Sequence, residues 1–120
     1  MREPREVVSR YLEAVSEGRL DEVGPLLDPG VALRGPGGVR EGAEAWVDLL
    51  RDRVLPITAR LRVERLFGEG EHVCAVFTLI GKSGGEVSYI EAFVVREGLI
   101  TAADLAFDGA ALKALIEDAS

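Results

Sequence analysis

The chain has one cysteine, one histidine and one tryptophan, and it has neither asparagine nor glutamine. A lone cysteine closes no internal disulfide, so packing must hold the fold. One histidine and one cysteine do not furnish a zinc site, and no cofactor fingerprint appears. Neither a metal nor a cofactor is therefore expected. Lysine is scarce too, with two against twelve arginines, and no basic run occurs. At a net charge of −7, nucleic acid is not expected as a partner, because its phosphates need a basic surface. No apolar stretch approaches the ~20 residues of a membrane-spanning helix. The opening Met1-Arg2-Glu3-Pro4 lacks a signal-peptide core. These absences predict a cytoplasmic protein. The missing amides fit a thermostable chain, natural or redesigned, and a GC-rich coding bias accounts for arginine over lysine equally well.

What is present suits one domain over residues 1–120 with one core, at 48% hydrophobic. Arg5–Glu17 predicts a helix whose Val8, Tyr11, Leu12 and Val15 share a face. Leu20–Leu27 predicts a second short helix, weakened by Gly24-Pro25. Asp28-Pro29-Gly30 predicts a turn, Val31–Leu33 a short strand, and Gly35-Pro36-Gly37-Gly38 a loop at a pocket mouth. Glu41–Val54 predicts a third helix ended by Pro56. The period then changes to two. Thr58–Leu66, His72–Ile80, Ser88–Arg96 and Leu99–Phe107 predict an antiparallel meander, and Asp108 caps a last helix at Gly109–Asp118. Helices segregated from such a meander make an α+β domain.

Ser88–Arg96 carries the main functional signal. Tyr89, Glu91, Phe93 and Val95 alternate with Ile90, Ala92 and Val94, so one acid stands in an otherwise apolar strand. An unpaired carboxylate in a dry core is too costly to keep. Glu91 is therefore read as lining a cavity, with a structural acid paired to an arginine as the rival reading.

Three segments, in their order and spacing, resemble the nuclear-transport-factor-two-like superfamily of ketosteroid isomerases, SnoaL-like polyketide cyclases and limonene epoxide hydrolases. The first runs from Arg10-Tyr11-Leu12 through Glu17-Gly18-Arg19-Leu20-Asp21 to Gly35-Pro36. The second is Leu55-Pro56 before the first long strand. The third is Ile90-Glu91-Ala92-Phe93, followed by the Glu97-Gly98 turn and Ile100. The resemblance implies a cone-shaped fold: a curved antiparallel sheet with N-terminal helices on its concave face and a short C-terminal helix. It implies that Tyr11 is an oxyanion donor and that Glu91 donates a second hydrogen bond from its protonated form. The isomerase's loop aspartate falls at Gly35, so that base is missing, and steroid isomerisation at a true isomerase's rate is not expected. The hydrolase's arginine and aspartate fall near Cys74 and Val76, which cannot activate water.

The candidate catalytic residues are thus Glu91, Tyr11 and His72, the last as a general base near neutral pH or as a solvated rim residue. Trp46, Val76, Tyr89, Phe93 and Phe107 are expected to bind substrate. Arg34, beside the glycine loop, is a candidate anion binder or a plain surface arginine. The expected ligand is a small apolar carbonyl compound, undergoing isomerisation, cyclisation or dehydration by acid–base chemistry. The rival readings are a non-catalytic binding domain and a purely structural dimer. A homodimer is expected through the outer sheet face, assigned to Val73, Ala75, Phe77, Leu79, Ile90, Ala92, Val94, Ile100, Ala102 and Ala106.

Overall fold

The computed structural model describes residues 2–119. Helix α1 spans Pro4–Ser16. Strands β1 (Leu27–Gly35) and β2 (Gly38–Glu41) precede helix α2 (Ala43–Leu49). Four long strands follow: β3 (Thr58–Glu69), β4 (His72–Gly81), β5 (Glu86–Arg96) and β6 (Leu99–Phe107). Helix α3 (Gly109–Ala119) ends the described chain.

Helix α1 starts at its proline, whose missing N–H costs nothing in the first turn. Its buried face carries Val7, Val8, Tyr11, Leu12, Ala14 and Val15. Gly18, at φ +72°, takes the left-handed conformation that stops it. Ser16 then ties its end to the sheet, because the Leu61 N–H donates to Ser16 Oγ at 2.9 Å. The expected second helix is two 3₁₀ turns, Leu20–Glu22 and Gly24–Leu26, since Pro25 can donate no helical hydrogen bond. The expected third helix is α-helical only to Leu49. It widens into a π turn at Leu50–Val54 and closes as a 3₁₀ turn at Leu55–Ile57.

The cone of curved antiparallel strands is not what the chain builds. The sheet is mixed and open, in the order β2-β1-β6-β5-β4-β3. Strand β1 lies parallel to β6, antiparallel to β2, and the two edges β2 and β3 do not meet. The sequence reading missed this because β1 looked too short to be a sheet strand. Its Asp28-Pro29-Gly30 is absorbed into β1 as an irregularity. Asp28 Oδ2 accepts from the Gly30 N–H at 2.9 Å, and pairing with β6 is interrupted between Leu27 and Ala32.

Cross-strand partners share a face, so the register sorts the side chains. One inner row runs Val63, Phe77, Tyr89 and Phe107, and the next runs Leu66, Ala75, Glu91 and Leu105. Val73, Ala75, Phe77 and Leu79 are therefore buried inward and cannot form an outer interface. Ile100 is also buried. The outer rows are Arg65, Val76, Ile90 and Ala106, then Phe67, Cys74, Ala92 and Asp104. The two faces of β4 were exchanged in the sequence reading because that strand is apolar on both.

Helix α3 docks through Leu115, which is 2% exposed. A Cβ added at Gly81 would stand 2.7 Å from Leu115 Cδ1. Gly81 and Gly85 thus leave room for the helix, beyond making a turn. Asp108 caps it, accepting from the N–H groups of Ala110 and Ala111 at 3.0 and 3.1 Å. Gly81→Ala should lift α3 off the sheet and cost about 1–3 kcal/mol, as overpacking does. Urea unfolding would measure the loss.

Candidate functional site

Between α1, the α2–π segment, α3 and the inner sheet face lies a cavity of about 260 Å³. Its walls are mostly apolar, from Leu12 and Val15 of α1 through Leu50 and Val54 to Leu112 and Ile116 of α3. Another depression, at Arg2, Glu3, Glu6, Glu97 and Gly98, is shallow and polar-lined. Only the first cavity has the apolar walls and few convergent polar groups of a small-molecule site.

One wall is an aromatic stack set by the β4–β5–β6 register. Phe77 and Tyr89 lie face to face at 5.2 Å, and Phe107 tilts against Tyr89 at 5.1 Å. On the opposite side Tyr11 meets Trp46 edge-on at 5.6 Å and Phe93 at 5.7 Å. Trp46 Nε1–H donates to the Tyr11 hydroxyl at 2.9 Å. This bond occupies an oxygen lone pair, which leaves the Tyr11 proton free to be given elsewhere. Sequence reading gave no hint of it, since the partners stand 35 residues apart.

Glu91 lines the cavity and is 4% exposed. No cation or hydrogen-bond donor within the described residues meets its carboxyl. Among those residues no sealed side-chain oxygen or nitrogen lacks a partner. The Glu91 oxygens are therefore open to the cavity and not locked in the core. Burial without a counter-charge pushes its carboxyl up to about 8. The same burial raises the Tyr11 hydroxyl well above its ordinary range, with the nearby Glu91 adding to the effect. Tyr89 is pushed up to about 12, again by burial first and Glu91 second. At neutral pH the cavity's interior thus holds a protonated carboxyl and two neutral phenols.

The structure brings together Glu91, Tyr11, Trp46, Tyr89 and Phe107. Phe93 is buried behind Tyr11 rather than on the cavity surface. Val76 and His72 do not reach it. Val76 faces outward beside Ile90, and His72 is exposed at the start of β4, opposite Val94. The alternation that placed Val76 inside had the wrong parity for β4, whereas His72 takes the solvated rim position that was its alternative reading. Gly35 does line the mouth, with Pro36 and Gly37. Arg34 points to the other face and pairs with Asp104 at 2.7 Å. Leu105, Leu112 and Phe77 were missed as wall residues. Among the described residues no group of three metal-ligating side chains assembles, and no helix is long and apolar enough to cross a membrane.

The pH dependence of stability follows with its sign. Unfolded Glu91 would hold its proton only to about 4.5, whereas folded Glu91 holds it to about 8. Between those values the folded state binds more protons, so stability falls as pH rises, by up to about 1.4 kcal/mol per pH unit. Glu91→Gln should lose this component. The difference between its melting curves and those of the unsubstituted protein, from pH 5 to pH 8, checks it.

Comparison with known proteins agrees with this architecture. The chain resembles wild-type IdmH from Streptomyces antibioticus, described as a candidate polyketide cyclase, at 17% identity and a TM-score of 0.85, over 97% of this chain and 99% of that one. A candidate ketosteroid isomerase from Kribbella flavida superposes with a TM-score of 0.79 at 16% identity, over 88% of this chain and 77% of that one. An LEH-like epoxide hydrolase of M. tuberculosis superposes with a TM-score of 0.77 at 23% identity, over 94% of this chain and 89% of that one. A search of the curated proteins found no significant match. A profile of the SnoaL-like domain matches residues 8–103, a span that holds most of α1, all of the β4–β5 register and Glu91 itself. The chain belongs to the SnoaL-like domain family, within a superfamily that includes ketosteroid-isomerase-like and polyketide-cyclase relatives.

Proposed function

We propose that the cavity binds a small, mostly apolar carbonyl compound and that Glu91 moves a proton on it while Tyr11 holds the carbonyl oxygen. The observation that carries this reading is a buried carboxyl with no partner among the described residues, open to an apolar cavity beside a tyrosine whose hydroxyl accepts from Trp46 and keeps its own proton to give. Removing a proton next to a carbonyl develops negative charge on the oxygen. Hydrogen-bond donors fixed in a dry site stabilise that charge. Glu91 is the cavity's one carboxyl, and no histidine lines it. In its ionised form Glu91 takes the proton from carbon. It then returns the proton at another position or to a leaving oxygen. Isomerisation, aldol-type cyclisation and dehydration all fit that sequence. The rival reading keeps the cavity as a binding site only, and the fold hosts both.

A model reaction separates them. Base removal of one C–H proton opens 5-nitrobenzisoxazole to a coloured phenolate. Opening should be faster with the protein than with free carboxylate, should rise with pH through about 8, and should vanish in Glu91→Gln. A nitrophenol ionised at neutral pH should bind as an enolate mimic, with affinity falling through the same pH as Glu91 loses its proton. Binding without Glu91-dependent opening would leave the cavity as a binding site.

We also propose that two copies pack through the outer sheet face. Its centre carries Phe67 and Ile90, 53% and 51% exposed, with Cys74, Val76 and Ala92 between them. Several of its charges are already paired, Arg34 with Asp104, Arg62 with Glu64 and Glu86, and Arg96 with Glu71, while Arg65 beside Val76 makes no ion pair among the described residues. An apolar centre inside a largely paired rim suits a second identical face. Sedimentation at micromolar concentration should show a dimer, and Ile90→Asp should give a folded monomer. A monomeric unsubstituted protein would refute it.

A further inference from the structure

The cavity's charged lining has a sign opposite to that of the protein. Two cationic side chains line it, Arg40 and Arg53, and Glu91 is its one acid. With Glu91 protonated at neutral pH, the lining carries two positive charges inside a chain of net charge −7.

Both arginines are exposed, and neither side chain makes a hydrogen bond or ion pair within the described residues. Seven of the other ten arginines find acids, namely Arg2, Arg10, Arg19, Arg34, Arg51, Arg62 and Arg96, and the remaining three, Arg5, Arg60 and Arg65, do not line the cavity. In a chain with 21 acids, two unpaired guanidinium groups facing one cavity leave a local positive potential. Such a potential concentrates anions at the opening.

Their placement follows from the backbone. Arg40 sits opposite Leu33, and Leu33 sits opposite Ala103 of the inner sheet face. Cross-strand partners share a face, so Arg40 ends an inner row at the sheet edge. Arg34, the sequence's candidate, lies on the other face and is already paired. Arg53 belongs to the π turn Leu50–Val54. The wider turn lets Leu50, Arg53 and Val54 all line the cavity.

We infer that the ligand is amphipathic: its apolar body fills the cavity, its carbonyl end meets Glu91 and Tyr11, and a carboxylate at its other end is held at the mouth by Arg40 and Arg53. The inference rests on the proposed carbonyl-binding role of the cavity and adds the ligand's charge. A planar guanidinium suits a carboxylate because it can present two parallel N–H donors.

The probes are 6-hydroxy-2-naphthoate, which joins a phenol to a carboxylate across an apolar body, and its uncharged methyl ester. Quenching of Trp46 fluorescence and calorimetry both report binding. The acid should bind about tenfold more tightly than the ester at low salt, since two exposed ion pairs are worth roughly one decade together. Added salt should shrink that ratio. The double variant Arg40→Gln/Arg53→Gln should bring it to about one with ester affinity kept; neither arginine supports the fold. Equal affinities in the unsubstituted protein, a ratio that survives the double variant, or binding of neither probe would overturn the inference. The two readings fail separately. If the ester binds and the acid gains nothing, the anion site falls and the cavity reading stands. If the ratio holds while Glu91→Gln leaves benzisoxazole opening unchanged, the catalytic reading falls and the anion site stands.

Discussion

The Glu91 carboxyl is held out of water with no counter-charge among the described residues, and the rest of the site is arranged around that cost. Desolvation raises its proton affinity by several orders of magnitude, to about 8. A single neutral hydrogen bond, worth ~1 kcal/mol, would recover less than one pH unit of that shift. The protein supplies no such bond among the described residues. It leaves the oxygens facing a cavity in which a ligand can meet them. A structural acid would have been paired with one of the twelve arginines. Instead those arginines are spent on surface acids or stand apart from Glu91.

Register converts that one residue into a site. The β4–β5–β6 pairing stacks Phe77, Tyr89 and Phe107 into a wall one row from Glu91. The opposite wall comes from α1 and α2, joined by the bond from Trp46 to Tyr11. That bond takes up one lone pair of the Tyr11 oxygen and leaves the hydroxyl proton to be given. With its oxygen already accepting, it remains a donor toward the cavity. Two aromatic contacts, to Trp46 and Phe93, hold the ring in place. The site is therefore made of rigid elements, which is what keeps donors aimed at a developing charge without reorganisation. Its irregular parts lie at the mouth, where the π turn and the glycine loop between β1 and β2 form the rim.

The sequence by itself determined several features for local reasons. Helix α1 follows from its apolar spacing, its opening proline and Gly18. Strand β6 and the Glu97-Gly98 turn follow from alternation and from a backbone that needs positive φ, at 52° and 80°. Asp108 is legible as a cap because capping is settled within three residues. Glu91 is legible because alternation around a lone acid marks one buried position on a strand. Only the tertiary structure decided the rest. Strand β4 is apolar on both faces, so periodicity could not say whether Val76 or Phe77 looks inward, and it took Val76 to the wrong side. The parallel pairing of β1 with β6 joins segments about 70 residues apart, as does the ion pair of Arg34 with Asp104. No local pattern encodes such a pairing, and without it Arg34 and Arg40 cannot be assigned to opposite faces. The same holds for Trp46 and Tyr11. A short-range code of propensity, caps and period fixes elements one at a time. Which faces meet, and hence which side chains share a cavity, depends on long-range register, and register is settled only when the whole core packs at once.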